Sequence, residues 1–95
     1  MIYKVKIRAE ALKEWHGLDS AVREQFSKKL KKLRENPHVP SARLTGIAGC
    51  YKIKLRSSGF RLVYQVIDEE LIIAVVAVGK RERSQAYKLA SERLR

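Results

Sequence analysis

The sequence predicts an α+β domain: a mixed sheet with helices packed mainly against one face, in the order β-α-α-β-β-β-α. Three observations predict it. Val22, Phe26, Leu30 and Leu33 recur at helical spacing. The runs Cys50–Arg56 and Phe60–Val66 alternate between apolar and polar residues and are separated only by Ser57-Ser58-Gly59. The run Leu71–Val78 is apolar on both faces, as an interior strand requires. At 95 residues the chain has apolar material for one core and reads as a single domain, 1–95.

The elements follow in order. Ile2, Val5 and Ile7 alternate roughly with Lys4, Lys6 and Arg8, which suggests a first strand. Ala9–Gly17 reads as a short helix with Leu12 and Trp15 on one face. Asp19 or Ser20 is placed to cap the second helix, which Asn36-Pro37 ends because proline disfavours a helical residue before it. His38–Gly49 is loop. The hairpin follows, then a turn at Asp68-Glu69-Glu70, then the interior strand. Ser84 is placed to cap a last helix that runs through Leu94, with Ala86, Leu89, Ala90 and Leu94 as its apolar side.

Twenty-one Lys and Arg against ten Asp and Glu give a net charge of +11. That excess favours a polyanionic partner, and charge alone fits RNA, DNA, an acidic protein or an anionic membrane. The single cysteine, Cys50, cannot staple a fold, which points to a reducing compartment. No Cys/His set has zinc spacing, the first residues do not form a signal peptide, and Leu71–Val78 is too short to cross a bilayer. A cytoplasmic protein with no membrane segment is expected.

With Ser58-Gly59 as a two-residue loop, Arg56 faces Arg61, Leu55 faces Leu62, Lys54 faces Val63, Ile53 faces Tyr64 and Lys52 faces Gln65. This register puts Tyr51, Ile53, Leu55, Leu62 and Tyr64 on one side and Lys52, Lys54, Arg56 and Arg61 on the other. Opposed like charges are unfavourable, and no Asp or Glu lies between Cys50 and Ile67 to offset them. A solvated face is the ordinary reading of a charge run; the missing carboxylates favour a phosphate-binding face. The end of the interior strand then delivers Lys80, Arg81 and Arg83 next to a helix start, a position that favours anions. Tyr87 lies in the first turn of that helix, where an aromatic ring packs or, beside a cationic face, stacks on a base.

The acids are too scattered for a metal centre, and His16 and His38 lie off the basic strands, so a metal or histidine-based nucleophile has no visible basis. RNA carries its own nucleophile, the 2′-hydroxyl. Its attack on phosphorus needs a base, positive charge on the phosphorane oxygens and a proton for the leaving 5′-oxygen. Crowded cations supply all three, because crowding Lys52, Lys54 and Arg61 disfavours protonated lysine.

The runs Cys50–Val66 and Val78–Ser84, together with Ala11-Leu12-Lys13-Glu14-Trp15 and Val22-Arg23-Glu24-Gln25, resemble the RelE toxins of toxin–antitoxin pairs over nearly the whole chain. The resemblance implies a microbial RNase-like fold and cleavage of mRNA in the ribosomal A site, leaving a 2′,3′-cyclic phosphate and a 5′-hydroxyl. It implies Lys52 and Lys54 as catalytic lysines, with Lys54 the favoured base. Arg61 would stabilise the phosphorane, Arg81 would stabilise it or protonate the leaving group, and Tyr87 would stack on a base. No cofactor or metal is implied. Arg56, Lys80, Arg83, Lys28, Lys31 and Lys32 are the expected further RNA contacts, including 16S rRNA. The implied partners are the ribosome, mRNA and a RelB-type antitoxin whose helix displaces the last helix; the free toxin would be a monomer. The other readings are a ParE-like toxin that inhibits DNA gyrase and a non-catalytic RNA- or ribosome-binding protein.

Overall fold

The computed structural model describes residues 2–94, the side chain of Arg83 excepted. Strand β1 (Lys4–Ile7) leads into helices α1 (Ala9–His16) and α2 (Ser20–Leu33). A loop with a 3-10 turn at Pro40–Ala42 leads to β2 (Cys50–Leu55), β3 (Phe60–Ile67) and β4 (Ile72–Lys80). A further 3-10 turn, Glu82–Ser84, opens into α3 (Gln85–Arg93). The sheet order is β1-β4-β3-β2, with β1 parallel to β4 and the other pairs antiparallel. The α+β class, the element order and the mixed sheet are as the sequence predicts.

Apolar β4 is interior, as expected, and is flanked by β1 and β3. One face of the sheet receives α1 and α2: Ala11, Val22, Phe26 and Leu30 pack with Tyr51, Ile53, Leu55, Leu62, Tyr64, Ile73 and Val75. On the other face a smaller cluster joins Cys50, Val63, Val76 and Ala77 to Ala86 and Ala90 of α3. Two helices thus share one face and the third takes the opposite one. A β-bulge between β3 and β4 makes the second cluster possible. Val63 pairs with Ala77 but Tyr64 with Val75, so the extra residue Val76 joins Ala77 on the α3 side.

Three local expectations are corrected. The hairpin register is slid by two residues: Lys54 faces Arg61, Lys52 faces Val63 and Leu55 faces Phe60. The loop is longer than two residues because Gly59 takes the left-handed position (φ 78°) and its N–H donates to Leu55 O at 2.8 Å. A slide of two conserves which side chains share a face, so Lys52, Lys54 and Arg61 stay segregated from the apolar side, while Arg56 falls in the turn after β2 rather than on the strand face opposite Arg61. Strand β4 continues through Gly79 and Lys80, because Arg61 and Phe60 still pair with them. Asp19 and Ser84 stand at the starts of α2 and α3 but make no side-chain cap. Ser84 has a φ of 50°, outside the extended region from which a hydroxyl normally caps.

Polar contacts pin the loop after α2. Buried Tyr64 donates its hydroxyl to Pro37 O at 2.9 Å and stacks on Tyr51 at 5.4 Å. Asp68 accepts from the Tyr3 hydroxyl (2.6 Å) and pairs with His38 (2.8 Å). Among the described residues, no helix is long and apolar enough to cross a membrane.

Two stability effects follow. Tyr64→Phe removes the shorter of the two hydrogen bonds to the buried Pro37 carbonyl, leaving it the Val39 N–H at 3.1 Å, and is expected to cost about 0.5–1.5 kcal/mol in denaturant unfolding. A Cβ on Gly79 would meet Ala86 N at 3.1 Å and Gln85 Cβ at 3.3 Å, so α3 must give way. Gly79→Ala is expected to cost about 1–3 kcal/mol and to loosen the amides of α3 in hydrogen exchange before those of the sheet.

Candidate active site

The alternation of the hairpin decides where its charges go. Cys50, Lys52 and Lys54 of β2 share a face with Arg61, Val63 and Gln65 of β3 and with Ala77 and Gly79 of β4. Helix α3 covers the apolar members of this face, leaving Lys52 half-buried, Lys54 exposed and Arg61 half-buried beside them. Lys54 and Arg61 are directly opposed. Among the described residues, the ion pairs are Arg8–Glu10, Lys28–Glu24 and Arg93–Glu14, and Asp68 lies against His38, so no carboxylate neutralises Lys52, Lys54, Arg56, Arg61 or Arg81.

Arg81 follows β4 at the same end of the sheet. Its N–H donates to Gly59 O at 2.8 Å, and its side chain passes beside the α-carbon of Gly59, where a Cβ would stand 3.8 Å from Cδ. The hairpin tip therefore positions Arg81, and Gly79, two residues before it, is the direct partner of Arg61. Tyr87 lies one residue beyond Ala86, whose amide rests on Gly79. Its ring is half-buried against the second cluster, and its hydroxyl is buried and has no hydrogen-bond partner among the described residues. Lys52, Lys54 and Arg61 thus share one sheet face, Arg81 lies at the adjoining hairpin tip, and Tyr87 belongs to the helix that packs on the apolar part of the same face.

The electrostatics follow from the crowding. The neighbouring Lys52 charge, partial desolvation, and the Arg61 and Arg56 charges hold the Lys54 amine below the ordinary lysine value. The face therefore combines an amine that gives up its proton more readily than usual with the neighbouring guanidiniums of Arg61 and Arg56. Such a set can accept a proton and stabilise a dianionic phosphorane.

The expected RNA contacts divide. Lys28 and Lys32 line a groove with Lys54, Leu55 and Arg56, continuous with the basic face. Lys31 lies in a separate groove with Val5, Ile7 and Trp15, on the β1 side of the molecule. Lys29, which is not among the expected contacts, lines the groove with Lys52 and Lys54. Helical spacing carried that signal, since Lys29 stands three residues before Lys32 and four after Gln25. Lys80 is exposed at the end of β4, its ammonium 6.0 Å from the Phe60 ring. The Arg83 side chain lies outside the described residues. Among those described, no three His, Cys, Asp or Glu residues cluster as metal ligands.

Comparison with known proteins places this arrangement. Residues 5–85 match the family model described as ParE toxin of type II toxin–antitoxin system, parDE. The chain is 73% identical over its full length, and the full length of the relative, to an Escherichia coli protein named as a RelE-like toxin. It is 53% identical to the mRNA interferase toxin RelE of Escherichia coli strain K12, covering 99% of each chain. The free R81A/R83A mutant of the E. coli RelE toxin superimposes with a TM-score of 0.92 at 50% identity, covering 100% of each chain. The toxin chain of the intact E. coli RelBE toxin–antitoxin complex does so with a TM-score of 0.81 at 54% identity, over 85% of this chain and 99% of that one. With the fold, the basic face and both sets of relatives in agreement, the chain belongs to the RelE family of toxins, within the wider RelE/ParE group of type II toxin–antitoxin systems.

Proposed function

We propose that this chain is the toxin of a type II pair and acts as a ribosome-dependent endoribonuclease on mRNA in the A site. The observation that carries the reading is the carboxylate-free cationic face, in which Lys54 opposes Arg61 and Arg81 is tied to the adjoining hairpin tip. Relatives over half identical that are named mRNA interferase support the reaction, and the RelBE complex supports a RelB-type antitoxin as partner.

The 2′-hydroxyl of the bound message is the nucleophile. Lys54, the favoured base, or Lys52 accepts its proton; the 2′-oxygen bonds to phosphorus and the bond to the 5′-oxygen breaks. Arg61 and Arg81 stabilise the phosphorane, and Arg81 is also the candidate donor to the 5′-oxygen. The products are a 2′,3′-cyclic phosphate and a 5′-hydroxyl. Tyr87 orients a base by stacking once its ring turns outward. Arg56, Lys28, Lys29, Lys32 and Lys80 bind backbone phosphates of mRNA or rRNA. With no strong histidine base, alignment of the 2′-hydroxyl by the ribosome is worth several kcal/mol, so free RNA is a poor substrate. An antitoxin helix that replaces α3 would remove Tyr87 from the site.

The family model named for ParE favours a second reading, inhibition of DNA gyrase. Primer extension on mRNA in programmed ribosomes with an empty A site separates the two. Wild-type protein is expected to cut within the A-site codon, and Arg81→Ala to slow the cut by about 10²-fold or more. Folded wild-type protein that makes no cut, yet blocks DNA supercoiling, would establish the gyrase reading.

The lowered Lys54 value sets a pH dependence. The base must be unprotonated, so single-turnover cleavage should rise with pH through the lowered Lys54 value and then level. Lys52→Met removes the largest cause of the lowering and is expected to move the rising limb to higher pH as well as reduce the rate. A limb that stays in place in Lys52→Met would remove Lys54 from the role of base.

A further inference from the structure

Strand β1 is shorter than the strand it pairs with. It covers β4 only from Ile72 to Val75, and the Arg8 N–H to Val75 O bond (3.0 Å) closes the ladder. Beyond that point β4 runs on to Lys80 with no strand on that side among the described residues. An uncovered edge next to a buried strand leaves backbone groups that need partners.

Two side chains from opposite faces of the sheet supply them. Glu14 of α1 accepts from the Val78 N–H through Oε1 at 3.2 Å. Arg93, the last residue of α3, donates Nη1 to Val76 O at 2.8 Å. The same guanidinium grips Glu14 in a bidentate pair, Nη1 to Oε1 at 2.8 Å and Nη2 to Oε2. The side chains are only 15% and 24% exposed, so the pair is shielded more than an ordinary surface ion pair. Val76 is the extra residue of the bulge, which gives the latch its carbonyl at a position where the ladder is already irregular.

Otherwise α3 is held by a small apolar side with no fully buried large residue. Its fully buried side chains are Ala86 and Ala90, and Tyr87, Leu89 and Leu94 are half-buried. Two alanines contribute little burial energy by comparison with a Leu or Phe anchor. Yet α3 carries Tyr87 and rests on Gly79, which pairs with Arg61 and stands two residues before Arg81.

We propose that Glu14 and Arg93 are positioning residues: a latch across the open β4 edge that holds α3, and through it Tyr87, in register with the basic face. The proposal rests on the ribonuclease reading for its effect on rate, but its effect on α3 is independent of that reading. Opening the latch frees the C-terminal end of α3, lets the helix pivot about Gly79, and lowers the fraction of molecules with Tyr87 in place.

The experiment is a double-mutant cycle of Arg93→Ala with Tyr87→Ala, read by A-site cleavage, with hydrogen exchange on each protein. Arg93→Ala is expected to slow cleavage by about tenfold when Tyr87 is present and by less than about twofold when it is absent, the coupling expected of residues that act through one another. The amides of Val78 and α3 should lose protection while those of the β2–β3 hairpin keep theirs. Equal slowing in both backgrounds, or wild-type protection of α3 in Arg93→Ala, would overturn the latch. If wild-type protein makes no cut, the ribonuclease reading falls and the exchange data alone decide the latch. Should Arg93→Ala not fold, Glu14→Gln takes its place in the cycle; it keeps an acceptor for Val78 but loses the charge pair. Exchanging the two, Glu14→Arg with Arg93→Glu, restores the ion pair but sets a donor against the Val78 N–H and an acceptor against the Val76 carbonyl. That protein is expected to remain as loose in α3 as Arg93→Ala; full rescue would show an ordinary ion pair and overturn the role of the strand edge.

Discussion

Burial of β4 on both faces is the constraint on which the rest of the structure depends. A strand with apolar residues on both sides cannot leave either face to water, so helices must cover both. The Val22-Phe26-Leu30 stripe of α2, with α1, covers one. The other falls to α3, and two features of β4 fit it to so small a helix. The bulge presents both Val76 and Ala77 to it, and Gly79 lets the backbone of its first turn come close. Sheet order follows as well, because an interior strand needs a neighbour on each side and β1 and β3 provide them.

The basic face is what this arrangement leaves over. Helix α3 covers β4 and the inner part of β3, and stops short of the outer hairpin, where Lys52, Lys54 and Arg61 emerge. Those cations repel one another, and among the described residues no carboxylate pairs with them. The molecule therefore keeps an unfavourable electrostatic region beside a weakly anchored helix. Both are stability losses confined to the face proposed to bind RNA, where a polyanion would restore the balance. Cores are built for cohesion and sites for ligands, and here the two meet along the edge of α3.

Much of this was legible in the chain. Residue alternation is a direct record of which strand face is buried, so the segregation of Tyr51, Ile53 and Leu55 from Lys52 and Lys54 could be read without coordinates. Alternation has a period of two, however, and is blind to a slide of two residues. Gly59 at positive φ settled the register instead, placing Arg61 rather than Val63 across from Lys54. On α2 the apolar stripe identified the buried face but not which lysines flank the hairpin. Packing against β2 brought in Lys29 and turned Lys31 to the β1 side.

By itself, then, the sequence determined the class of fold, the interior strand, the polarity of each strand face and the family, because these depend on local pattern and composition. Tertiary structure alone decided the hairpin register, the place of α3 on the opposite face, the bulge at Val76 and the bond network of Glu14 with Arg93. Those two residues are 79 positions apart and look like ordinary surface charges on two separate helices. They meet only because β1 ends early and leaves a strand edge whose backbone groups require partners. Such a requirement is created by the packing of elements and is written in no local stretch of the chain.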